Sequence, residues 1–116
     1  MVHAVTPRPT IVCLCGSTRF FKEFQAVSLE ETLAGRIVLS IGCNLRSDDA
    51  RWGDPDERER IKIRLDELHL HKIDLADEVL ILNIGGYIGP STARELSYAR
   101  ATGKRVRFLE PNPSLP

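Results

Sequence analysis

The chain has 116 residues, a length that suits one domain with a real core and leaves little for a second. Hydrophobic residues make up 42% and charged residues 28%, a balance that excludes a disordered chain. Lys plus Arg equal Asp plus Glu at 16 each, so no net field draws the molecule onto a polyanion, and polymeric nucleic acid is not an expected partner.

The first nine residues and the proline-rich end, residues 111–116, read as loose tails around a single domain spanning 1–116. Residues 10–15 form a short apolar run, the pattern of a buried strand. Within it Cys13 and Cys15 stand two apart and so leave the same face, as reduced thiols in the core. Residues 19–34 follow as a helix with Phe20, Phe24 and Val27 on one side and Gly35 as its stop. Residues 36–41 are a second strand, and residues 42–55 a polar loop.

Asp54-Pro55-Asp56-Glu57 then has the form of a helix start: a capping carboxylate, proline in the first turn and Glu three after the cap. The helix it opens runs to about Asp74, with Ile61, Leu65, Leu68 and Ile73 inward and Arg58, Lys62, Asp66 and His69 toward the other side. Residues 78–83 give a third strand, 91–102 a third helix and 104–109 a fourth strand after the Gly103 stop. The order βαβαβαβ predicts a small doubly wound, Rossmann-like or flavodoxin-like parallel sheet with helices on both faces. Strand order 2-1-3-4 is the most economical, and ligands of such sheets bind outside the carboxyl ends of the strands where the order reverses.

Two loops fall at that reversal. Gly16-Ser17-Thr18-Arg19 offers backbone N–H groups, two hydroxyls and a guanidinium at a helix start, a combination suited to an anion, although Ser17 or Thr18 as a plain cap explains it equally well. The stretch from Gly85 to Thr92 includes Gly86, Tyr87, Gly89 and Ser91, and its glycines admit close approach of a ligand. It matches neither the dinucleotide fingerprint nor a P-loop.

Glu95 follows Thr92 by three, which is the spacing of a capping box; alternatively, the helix dipole keeps it ionised as a nucleophile at the crevice. Asp66 and His69, one turn apart on the long helix, read as an exposed pair or as a polar patch facing the long loop. His69 and His71 face different directions and no third ligand is spaced to join them, so no metal and no cofactor are expected. Asp74 and Asp77 read as turn residues, and Trp52 as a base-stacking, lid or dimer contact. With no apolar stretch of membrane-spanning length and no secretion signal, a cytoplasmic location is expected.

Cys15-Gly16-Ser17-Thr18-Arg19-Phe20, Asp74-Leu75-Ala76-Asp77 and Ser91 to Ala99 together resemble the nucleoside 2-deoxyribosyltransferase superfamily, including its 2-deoxynucleoside 5-phosphate N-hydrolases. The resemblance implies that Glu95 is the nucleophile at the anomeric carbon, and that Gly16 to Arg19 and Ser91 hold a 5-phosphate. The second carboxylate of that family corresponds to His69 here, leaving His69 or Asp66 as the second catalytic group. The glycine-rich stretch ending at Glu95 also resembles the motif of phosphoribohydrolases that release cytokinin bases, which break the same type of bond. The implied activity is cleavage or transfer at the N-glycosidic bond of a nucleoside or nucleoside 5-monophosphate, with a noncatalytic nucleotide sensor as the alternative. A homodimer or larger even assembly is expected to complete the crevice.

Overall fold

Alternation along the first strand sets the layering of the computed structural model, which describes residues 7–111. In β1 (Ile11–Cys15), Cys13 and Cys15 face one side and Val12 and Leu14 the other, and all four are fully buried. The helix α1 (Phe21–Leu33) covers the Val12 and Leu14 side through Phe24 and Val27. On the opposite side α2 (Pro55–Leu75) and α3 (Pro90–Ala101) close over Cys13 and Cys15 with Ile73, Leu96 and Ala99. The sheet is completed by β2 (Ile37–Leu39), β3 (Glu78–Ile81) and β4 (Arg105–Phe108). All pairings are parallel and the order is β2-β1-β3-β4, as the sequence predicts.

The expected helix ends are present. Asp54 accepts from the Glu57 N–H at 2.8 Å and Pro55 opens α2. Gly35, at φ 88°, ends α1: its N–H reaches the Thr32 carbonyl at 2.9 Å and the Arg36 N–H reaches that of Glu31 at 3.1 Å. This paired closure needs a left-handed residue, which glycine supplies without a steric cost.

Elsewhere the structure departs from expectation. The first helix is preceded by a separate 3-10 turn at Thr18–Phe20, and the edge strands β2 and β4 are shorter than their apolar runs. In α2 the buried side chains are His69 and Ile73, whereas Leu68 is half exposed. Arg8, placed by sequence in a loose tail, makes a two-point pair with Asp77 at 3.0 Å on each arm, and Asp77 also accepts from the Ile11 N–H at 2.8 Å. The rest of both expected tails, residues 1–6 and 112–116, lies outside the described residues. Asp74 accepts from the Tyr98 hydroxyl at 2.6 Å, so both aspartates before β3 have structural partners.

At the amino end of the sheet, away from the strand carboxyl ends, Glu31 of α1 and Glu78 of β3 are buried carboxylates. Arg107 of β4 binds both, donating to Glu78 from Nε at 3.0 Å and from Nη2 at 2.8 Å, while Arg36 stands 3.8 Å from Glu78. Removing Arg107 leaves two desolvated carboxylates with weaker partners. Arg107→Met is expected to cost about 2 kcal/mol in urea unfolding, below the full penalty of a buried pair because Arg36 remains. A loss under about 0.5 kcal/mol would show that the cluster is solvated.

Candidate functional site

The two loops at the strand reversal meet, with the loop after β2, around a cleft of about 580 Å³, within the usual range for a small-molecule ligand. Gly16, Ser17 and Thr18 contribute from the end of β1, Tyr87 and Gly89 from the loop after β3, and Ser91, Thr92 and Glu95 from α3. Gly16 is dictated by packing: a Cβ there would lie 3.0 Å from the Leu82 Cβ and 3.3 Å from the Leu82 carbonyl oxygen. Its absence lets β1 and β3 end side by side beneath the cleft.

At the cleft base, Glu95 and His69 are both buried, with the carboxylate Oε1 4.0 Å from the imidazole Nε2. His69 is therefore not half of an exposed pair, but Asp66 and His69 do line the cleft together with Gly42, Cys43 and Arg46 of the long loop, the other arrangement expected from the sequence. His69 occupies the Ile61, Leu65, Ile73 stripe at spacing four, so it shares their inward side. Behind it stand Cys13 and Cys15, each with its sulfur 3.5 Å from Nε2. Sequence spacing along α2 could not supply these neighbours, because they come from β1.

Nor do Thr92 and Glu95 form a capping box. The helix starts earlier: Gly89 is the cap residue, Pro90 is in the first turn, and the Ala93 N–H bonds the Gly89 carbonyl at 2.9 Å. Thr92 is consequently buried within the first turn and Glu95 lies beyond it, too far along to cap the end. Burial, more than the dipole, governs its charge. Desolvation pushes the Glu95 carboxyl up to about 7, with Cys13 and Asp66 adding to the rise and His69 opposing it. Burial works against a charged His69, but Cys13 and Glu95 outweigh it and leave its pKa raised.

Asp66 lines the cleft but is engaged by cations, with Lys62 Nζ at 2.8 Å and Arg94 Nη2 at 3.6 Å. The same two side chains donate to the Ser91 hydroxyl, each at 3.3 Å. Lys62, Arg94 and Ser91 thus converge at the amino end of α3, where the helix dipole also favours an anion. Across the cleft, Arg46 Nε donates to the Thr18 hydroxyl at 3.0 Å. Of these cations, Lys62 carried a sequence signal in its spacing of four from Asp66; Arg46 and Arg94 carried none beyond their charge.

Arg19 and Gly86 fall outside the cleft lining. The Arg19 guanidinium sits 3.9 Å from the centre of the Tyr87 ring and donates to its hydroxyl at 3.3 Å, so it braces Tyr87, which does line the cleft. Ser17 caps the 3-10 turn by accepting from the Arg19 N–H at 3.2 Å. Gly86, at φ 82°, makes the turn after β3 by donating to the Asn83 carbonyl at 2.8 Å. Trp52 bonds the Ser47 hydroxyl at 3.3 Å and is likewise not in the lining. No helix among the described residues is long and apolar enough to cross a membrane.

No protein-family model and no curated protein sequence matches the chain. Among solved structures, it is similar to a 2-deoxyribosyltransferase from the psychrotolerant bacterium Bacillus psychrosaccharolyticus, with a TM-score of 0.59 over 91% of this chain and 76% of that one. At 18% identity this likeness establishes a shared fold.

Proposed function

We propose that this chain breaks or transfers the N-glycosidic bond of a nucleoside or nucleoside 5-monophosphate, with Glu95 as nucleophile. The observation that carries the proposal is the buried Glu95 and His69 pair at the base of the cleft, 4.0 Å apart at the strand reversal. The fold shared with a 2-deoxyribosyltransferase supports the same chemistry.

Glu95 Oε forms a bond to the anomeric carbon as the carbon–nitrogen bond breaks, and its electron pair leaves with the base. His69, as imidazolium, holds the neighbouring carboxylate in its charged form and supplies the proton that the departing base takes up. The neutral imidazole then accepts a proton from water, which opens the glycosyl ester; a second base in place of water completes a transfer. Asp66 serves instead to hold Lys62 and Arg94 beside Ser91.

Release of free base from a panel of nucleosides and 5-monophosphates tests the activity. Tight nucleotide binding by calorimetry with no base released from any substrate would leave a binding module and remove the enzyme. If Lys62, Arg94 and Ser91 take the phosphate, Lys62→Met weakens monophosphates by about tenfold in KM and nucleosides by less than about threefold. Equal losses for both classes would remove the phosphate from that corner.

A further inference from the structure

The neighbours of His69 form a second chemical unit that sugar chemistry does not use. Cys13 and Cys15 leave the same face of β1, and both sulfurs stand 3.5 Å from His69 Nε2. The three donor atoms all lie within 4.8 Å of one another, and Glu95 Oε1 lies 4.0 Å from the same nitrogen. Around a tetrahedral centre with metal–sulfur bonds of about 2.3 Å and metal–nitrogen bonds of about 2.0 Å, sulfur and nitrogen stand about 3.5 Å apart. A single thiol–imidazole hydrogen bond gives a similar distance, so the convergence is the more telling feature. One ring nitrogen carries one proton or one lone pair and satisfies one sulfur at a time. A cation at the common centre satisfies both sulfurs and the nitrogen together, and Glu95, 4.0 Å from the same nitrogen, is the nearby carboxylate for a fourth position.

We propose that Cys13, Cys15, His69 and Glu95 bind a thiophilic divalent cation of the zinc type. Two sulfur donors select such an ion over magnesium or calcium, which take oxygen ligands. The sulfurs are fully buried, but His69 and Glu95 line the cleft, which gives the ion its way in. Both thiols lose their protons to solvent as the metal–sulfur bonds form, and no oxidant or reductant takes part. Resting on the glycosidic function proposed above, the bound ion withdraws Glu95 from the sugar and His69 from proton transfer, so the loaded protein is inactive.

Titration of the reduced, metal-free full chain with cobalt(II), a spectroscopic stand-in for zinc, tests the site without any substrate. The expected result is a thiolate-to-cobalt charge-transfer band with the strong visible absorption of four-coordination, complete at one equivalent and bleached by one equivalent of zinc. Cys13→Ser with Cys15→Ser removes the band, Cys43→Ser leaves it intact, and Glu95→Gln weakens cobalt binding by at least about tenfold, with circular dichroism confirming each fold. Absence of a thiolate band in the wild-type chain overturns the site whatever the variants do, as does a band lost with Cys43→Ser alone. Cobalt binding in a chain whose metal-free form releases no base would uphold the metal site and remove the glycosidic function; base release without a cobalt band would do the reverse.

Discussion

Glu95→Gln is expected to lower kcat for base release by on the order of 10³-fold or more while the protein stays folded. Glutamine has the same length and nearly the same volume, so the cleft base keeps its packing. It lacks the charged oxygen that bonds the anomeric carbon in the proposed reaction, and it removes the negative charge that would stabilise a cationic sugar. Both contributions are made in the transition state, so the loss belongs in kcat, with KM little altered. A loss in KM alone would make Glu95 a binding residue. Full activity in the variant, with its fold verified by circular dichroism, would end its assignment as nucleophile.

The parts of this fold legible in the sequence are those written in local chemistry. Asp54-Pro55 starts α2 because a capping carboxylate and a fixed φ act within one turn, and Gly35 ends α1 because the left-handed closure needs no distant partner. Alternation in β1 likewise gives the two faces of the sheet. The site was legible in position, since strand order alone puts Gly16 to Thr18 beside Ser91 to Glu95.

What the sequence left obscure depends on contacts across the fold. His69 looks exposed when polarity decides, and inward when the Ile61, Leu65, Ile73 spacing decides; the thiols of β1 let a polar ring occupy the apolar stripe. Thr92 and Glu95 match a capping box by spacing, but Gly89 and Pro90 open the helix one turn earlier. Arg19 carries the charge expected of an anion ligand, yet the Tyr87 ring, 68 residues away in sequence, takes its guanidinium.

The same substitution that removes activity is expected to make the metal-free protein more stable at pH 8, by about 2 kcal/mol, with a rise in Tm on the order of 10 °C. Burial lifts Glu95 from the ordinary 4.5 to about 7 in the folded state, so folded protein holds this proton more tightly than unfolded chain. The stabilising contribution is therefore fully present below pH 4.5, declines as pH rises through 7, and is lost at pH 8. A difference of that size corresponds to about 3 kcal/mol, and part of it returns because the variant lacks the Glu95 charge that helps to raise the pKa of His69. Glutamine stays neutral at every pH, so the two proteins should melt together near pH 4 and separate as pH rises, in buffer containing a chelator. A side chain present for packing or capping would give the opposite sign, since its removal lowers stability at all pH values. A variant that is less stable at pH 8, or a difference that does not change between pH 4 and pH 8, would mean that the carboxylate costs the fold nothing. The sign thus distinguishes a charge held at the cleft base against the preference of the fold from one that the fold itself requires.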